Sequence, residues 1–178
     1  MPRLFSGIEI PAAVARRLTL VRAGLNGARW IDPENYHLTL RFIGDVDDQT
    51  AREVASLLGR VRRTPFELRF DALSSFGGRR PRAVIATLAQ TTALMELQAE
   101  HERLMRRVGL DPEARKYTPH ITLARLRDST SHEVAEYLST RGGFRWPAFK
   151  VSRFVLFSSR ASVGGGPYVV EAAYPLAA

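Results

Sequence analysis

The stretch His37-Leu38-Thr39-Leu40 returns 83 positions later as His120-Ile121-Thr122-Leu123. Each copy is a His, an aliphatic, a Thr and a Leu. In a β-strand successive side chains point to opposite faces. His37 and Thr39 then share one face, with Leu38 and Leu40 on the other, and His120 and Thr122 part from Ile121 and Leu123 in the same way. Two such strands would each offer one imidazole and one hydroxyl to a common polar face.

The elements around each copy repeat as well. Leu4 to Ile10 is a short apolar run that reads as a strand. Pro11 opens a helix, where a missing N–H costs nothing, and Val14, Leu18, Val21 and Leu25 give it one apolar stripe. Trp30 to Tyr36 is a connector with the turn chemistry of Asp32-Pro33-Glu34-Asn35. The first His-x-Thr strand runs to about Ile43. Asp45 to Asp48 supplies acids for a helix N-terminus, and Ala51, Val54, Leu57, Leu58 and Val61 form its stripe. Phe66, Leu68, Phe70 and Ala72 alternate with charged residues, a half-buried strand by period.

After a loop from Ser74 to Arg82 the order starts again. Ala83 to Leu88 reads as a strand. Leu94, Leu97, Leu104 and Val108 mark a helix closed by Gly109, where a left-handed residue is favoured. The second His-x-Thr strand follows a connector from Pro112 to Pro119. Thr130-x-x-Glu133 is a capping-box signal, Val151 to Ser158 a strand, Gly164 to Pro167 a turn and Tyr168 to Tyr174 a last strand. A repeat of this length is too long for a solenoid. It predicts an α+β fold: two pseudo-symmetric lobes from a duplicated β-α-β-α-β unit, antiparallel sheets facing a central cleft and helices outside. Residues 1–178 would form one bilobal domain, with halves at about 3–75 and 82–160 and the last strand at about 168–175.

Composition narrows the chemistry. With no cysteine in 178 residues, disulfides, thiolate nucleophiles and Cys-ligated zinc are excluded. The net charge is +8, carried almost wholly by arginine, since Lys116 and Lys150 are the only lysines. A field of that sign favours an anionic partner such as RNA, and the planar guanidinium fork suits phosphate. The N-terminus reads as a strand rather than a signal peptide, and no apolar run approaches the roughly 18 residues that span a membrane. The expectation is a cytoplasmic monomer.

Histidine titrates near neutrality, at about 6.5. A symmetric pair can hold one ring neutral and the other protonated, a general base and a general acid on opposite sides of a reacting centre. An in-line phosphoryl displacement uses that arrangement, and threonine hydroxyls can donate to the non-bridging oxygens. No metal or cofactor is required. Two histidines without an accompanying carboxylate motif fall short of a zinc site. His101, on a helix stripe, and His132, at a helix start, read as structural.

With these flanks the chain resembles the 2H phosphoesterase superfamily, and within it the RNA 2′,3′-cyclic phosphodiesterases, also called 2′-5′ RNA ligases. The likeness rests on the paired His-x-Thr motifs, Arg3-Leu4-Phe5, Arg29-Trp30, Phe42-Ile43-Gly44, Pro119 to Arg125, Ser158-Ser159 and Tyr168. It implies hydrolysis of a 2′,3′-cyclic phosphodiester, on RNA ends or nucleotides, to a 2′-phosphomonoester. His37 would be the proton donor to the departing O3′ and His120 the proton acceptor from water, with Thr39 and Thr122 on the phosphate oxygens. In reverse, with a 5′-hydroxyl end in place of water, the site would join RNA through a 2′-5′ linkage without ATP. Other superfamily reactions, on 1″,2″-cyclic phosphates or 2′-5′ oligoadenylate, and a non-catalytic RNA-binding module are the alternatives.

Further contacts are expected from Arg125, Arg41, Phe42 and Tyr168. Strand parity puts Arg41 on the face of His37. It puts Arg125 on the face opposite His120, so Arg125 reaches phosphate only if a bulge re-aims it. Phe42, Tyr117 and Tyr168 could stack on a base. Arg79, Arg80 and Arg82 could touch an RNA backbone. Trp30 and Trp146 read as core or its edge.

Overall fold

The structure is a computed structural model describing residues 3–159 and 166–177. Its strands are β1 (Arg3–Glu9), β2 (Ala28–Trp30), β3 (His37–Asp45), β4 (Phe66–Leu68), β5 (Phe70–Phe76), β6 (Ala83–Leu88), β7 (His120–Leu126), β8 (Phe149–Val151), β9 (Arg153–Ser159) and β10 (Tyr168–Pro175). Its helices are α1 (Ala12–Leu18), α2 (Asp48–Leu58), α3 (Thr92–Val108) and α4 (Ser131–Arg141).

Local chemistry explains the helix ends. The Asp47 carboxylate caps α2 by accepting from the Thr50 amide at 2.7 Å, and Thr91 caps α3 through the Leu94 amide. Thr130 and Glu133 form the reciprocal capping box of α4, which satisfies two otherwise orphaned donors. Gly109 ends α3 at φ 101°, a conformation in which a Cβ would be strained. The stripe residues Val14, Leu18, Val54, Leu58, Leu94 and Leu97 are all buried, each contributing about 1.5–3 kcal/mol.

Several boundaries differ from the pattern reading. The helix opened by Pro11 stops at Leu18 and tightens into a 3-10 turn over Thr19–Val21. Ala28–Trp30, ahead of the expected connector, is recruited as an extra strand by pairing with β7. The run from Phe66 to Ala72 divides in two: β4 pairs with β8 in a small separate sheet, while β5 pairs with β6. β5 also continues to Phe76, into the expected loop. Of the Gly164–Pro167 turn, Gly164 and Gly165 lie outside the described residues.

The main sheet is antiparallel along the order β10-β9-β1-β3-β7-β6-β5. Its two halves meet at β3 and β7 through the pair Leu38–Ile121. The parts of the chain are exchanged across this seam. β5, from the first half of the sequence, extends the sheet of the second through β6. β9, from the second half, extends the first through β1. Helix α3 packs on β3 and α2, and α4 packs on β5. The Tyr137 hydroxyl on α4 donates to the Val21 carbonyl at 2.6 Å, and the Trp146 indole to the Arg17 carbonyl. One hydrophobic cluster therefore reaches from Leu4 to Leu176.

Candidate active site

An antiparallel register through Leu38 and Ile121 sets His37 across from Thr122 and Thr39 across from His120. The two histidines are diagonal neighbours, about 7–8 Å apart at Cα in a regular pair. Both aliphatic partners, Leu38 and Ile121, point into the core at 1% and 0% exposure. The opposite face opens into a cleft of about 420 Å³ lined by His37, Thr39, His120 and Thr122 together.

Just past each motif the strand bulges, and the same residue position is skipped in both. Against β1, Thr39 pairs with Gly7 but Arg41 with Ser6, which leaves Leu40 as the extra residue. Against β6, Thr122 pairs with Ile85 but Ala124 with Val84, which leaves Leu123 extra. A bulge reverses the facing of the residues that follow it, in β3 as far as a second shift at Ile43. Phe42 and Arg125, which simple alternation sends to the core side, are thereby delivered to the cleft. Phe42 is half exposed.

The same bulge corrects the expectation for Arg41. It is turned away from the cleft and is 6% exposed. Its guanidinium donates to Glu102 at 2.5 Å, to the Asp111 carbonyl at 2.5 Å and to the Phe42 carbonyl. Burial pushes the Glu102 carboxyl up, but hydrogen bonds from Arg41, the Glu113 amide and Arg106 outweigh it, and the net shift is down. Arg41 is a structural ion-pair partner.

Each imidazole is oriented by the backbone two residues earlier. His37 Nδ1 lies 3.0 Å from the Asn35 carbonyl and His120 Nδ1 2.6 Å from the Thr118 carbonyl. A neutral ring held so carries its proton on Nδ1 and leaves Nε2 as the acceptor. His37 Nε2 is 3.1 Å from the Thr39 hydroxyl. His37 is enclosed by Phe5, Phe157 and Tyr168, at ring separations of 4.9, 5.6 and 4.9 Å. Burial pulls it down to about 4; the Asn35 carbonyl opposes that, while the charges of His120 and Arg125 add to it. His120 has one ring neighbour, Phe76 at 4.7 Å. Burial lowers it too, against the Thr118 carbonyl and with help from Arg125.

Arg3, Arg82, Arg115 and Arg125 line the cleft, with Asp45 beside Arg3 at 3.3 Å. Among the described residues the lining includes no carboxylate, so the field inside favours an anion. Tyr168 lines the cleft on the His37 side. Asn35, Phe76 and Arg115 were not singled out from sequence, and Phe5 entered only within the Arg3-Leu4-Phe5 stretch of the likeness, with no site role; Phe76 was hidden by the loop reading. Arg82 reaches the cleft, whereas Arg79 and Arg80 stay exposed. Tyr117 does not present a free phenol, because its hydroxyl donates to the Thr39 carbonyl at 2.7 Å. His101 is fully buried on α3 against Ser6 at 2.7 Å, and His132 is exposed. Among the described residues no three His, Asp or Glu side chains gather as a metal site, and no helix is long and apolar enough to cross a membrane.

A basic cleft with two imidazoles and two hydroxyls from a duplicated motif defines a phosphoesterase of the two-histidine class. The chain belongs to the LigT-like phosphoesterase family, whose model matches residues 8–86 and again 88–168. It is 33% identical over 176 residues to the RNA 2′,3′-cyclic phosphodiesterase of Thermotoga maritima, covering 94% of this chain and 92% of that one. To the Escherichia coli protein of the same name it is 29% identical, covering 93% and 92%. Among solved structures, E. coli LigT complexed with 3′-AMP superposes with a TM-score of 0.78 at 25% identity, covering 99% of each chain.

Proposed function

We propose that the protein hydrolyses 2′,3′-cyclic phosphate ends of RNA or nucleotides to 2′-phosphomonoesters by two-histidine acid–base catalysis. The carrying observation is that His37, Thr39, His120 and Thr122 line one cationic cleft. The names of its relatives support the substrate class.

His120, neutral and with Nε2 available, takes a proton from water as the water oxygen attacks phosphorus. The P–O3′ bond breaks, and His37 gives its proton to the departing O3′. The phosphate stays on O2′. Thr39 and Thr122 donate to the non-bridging oxygens, and Arg125 compensates the charge that gathers there. Nothing in this sequence of steps calls on a metal.

A donor lowered to about 4 is neutral at pH 7 without substrate. The cyclic phosphate brings a negative charge between the rings, and a nearby anion favours the charged imidazole. The substrate thus supplies the field that lets His37 hold its proton. The test is incubation with 2′,3′-cyclic AMP in EDTA and separation of 2′-AMP from 3′-AMP. Release of 2′-AMP is expected. A 3′-AMP product, or loss of turnover in EDTA, would overturn the mechanism; tight RNA binding without turnover would make the cleft a binding module.

A further inference from the structure

The carbonyls of Asn35 and Thr118 hold His37 and His120 in the same way, yet the two residues differ in one respect. Asn35 lines the cleft, and among the described residues Thr118 is not part of that lining. The Asn35 side chain is also held from behind. Gly166, just ahead of β10 and at φ 98°, lies so close that a Cβ there would overlap the carbon, nitrogen and oxygen of the Asn35 carboxamide. Only glycine lets the chain pass at that distance. The carboxamide therefore stands between Gly166 and the cleft, on the His37 side, with donors and an acceptor in one plane. The proposed acid–base steps leave it without a task.

A 2′,3′-cyclic phosphate poses a choice that contacts to phosphate cannot make. O2′ and O3′ are both ring ester oxygens on one phosphorus. Turning the nucleoside over exchanges them and returns phosphorus and both non-bridging oxygens to the same places, so Thr39, Thr122 and Arg125 grip either seating alike. In-line displacement sets the leaving oxygen beside the acid, His37. With O3′ there, the ribose edge behind it carries C4′, C5′ and O5′. With O2′ there, that edge carries C1′ and the base. We infer that Asn35 selects the leaving oxygen: its carboxamide N–H donates to O5′ in the seating that presents O3′ to His37. The inference rests on the proposed phosphodiesterase reading. Asn35 is then a specificity-determining residue, and the proton transfers stay with His37 and His120. A site built to donate to a substrate oxygen disfavours a seating without it, because the donor is left unpaired.

The readout is the ratio of 3′-AMP to 2′-AMP released from 2′,3′-cyclic AMP, which does not depend on how much of a variant is folded. Asn35→Leu and Asn35→Ala remove the carboxamide and keep the backbone carbonyl that anchors His37. Each should raise the ratio about tenfold over the wild type. 5′-Deoxyadenosine 2′,3′-cyclic phosphate lacks O5′. It should raise the corresponding ratio by a like factor in the wild type and leave it unmoved in Asn35→Ala, because both changes delete one hydrogen bond. Gly166→Ala, which pushes the carboxamide aside, should move the ratio in the same direction. A ratio that neither Asn35 variant alters overturns the inference even if kcat falls, since Asn35 would then serve only to place His37. So does a 5′-deoxy effect that persists in Asn35→Ala, because O5′ would be held elsewhere. Release of 3′-AMP alone by the wild-type protein, or of neither product, would instead remove the phosphodiesterase reading on which the inference stands.

Discussion

β3 and β7 carry the same motif, the same carbonyl-anchored imidazole and the same bulge, yet they equip the cleft differently. In β3 the bulge delivers Phe42; in β7 it delivers Arg125. His37 sits among three aromatic rings, His120 beside one. Duplication thus supplies two equivalent imidazoles, and the residues brought in after them break the equivalence. One flank becomes apolar and strongly desolvated, the other cationic. That asymmetry gives a physical basis for the opposite roles proposed for two chemically identical side chains.

The comparison can be broken most severely at the rings themselves. His37→Ala and His120→Ala should each lower kcat about 10²–10⁴-fold, with little change in KM. A large loss from one and a small loss from the other would mean that the cleft uses a single imidazole. The arginines of the two strands provide the next contrast. Arg41→Met should cost about 1.5–3 kcal/mol in denaturant unfolding, the worth of a hydrogen bond to a charged group, since the partly buried Glu102 carboxylate loses Arg41 but keeps Arg106 and the Glu113 amide. Arg41→Met with Glu102→Leu should recover part of that loss. Arg125→Ala should leave unfolding unaltered but cost about 1.5–3 kcal/mol of transition-state stabilisation, the worth of a hydrogen bond to a charged group, read as kcat/KM. Phe42→Ala should raise KM for RNA ends by about 1–3 kcal/mol of lost stacking and leave kcat nearly unchanged.

The smallest expected effects are in the pH profile. Both imidazoles are lowered from 6.5 in the free protein. The bell in kcat/KM, which reports free-enzyme groups, should therefore lie on the acid side of neutrality rather than around it. The profile of kcat should be displaced to higher pH, because bound phosphate raises the donor. Superimposed profiles would show that the substrate charge does not reach His37. Arg125→Ala should move the kcat/KM bell upward, since the guanidinium charge helps to hold both rings down.

Much of the site was legible because its signals are local. Two copies of His-x-Thr-Leu, the capping box at Thr130, the αL stop at Gly109 and the apolar stripes each depend on residues a few positions apart. Facing beyond the bulges was not legible. Leu40 and Leu123 look like ordinary strand residues, and only pairing with β1 and β6 makes them the extra ones. Parity counting therefore gave Arg41 to the cleft and withheld Arg125, and the structure exchanges them. Phe76 was missed for a similar reason: β5 extends as far as its partner β6 supports it.

By itself the sequence determined that two like half-units each present an imidazole and a hydroxyl on an arginine-rich, cysteine-free chain, because strand alternation and helix capping act over a few residues. Tertiary structure alone decided that the halves exchange β5, β9 and α3 across the seam, that Arg41 is buried in an ion pair, and that Phe42 and Arg125 both line the cleft. Those outcomes follow from inter-strand register and packing between residues far apart in the chain, which no local pattern encodes.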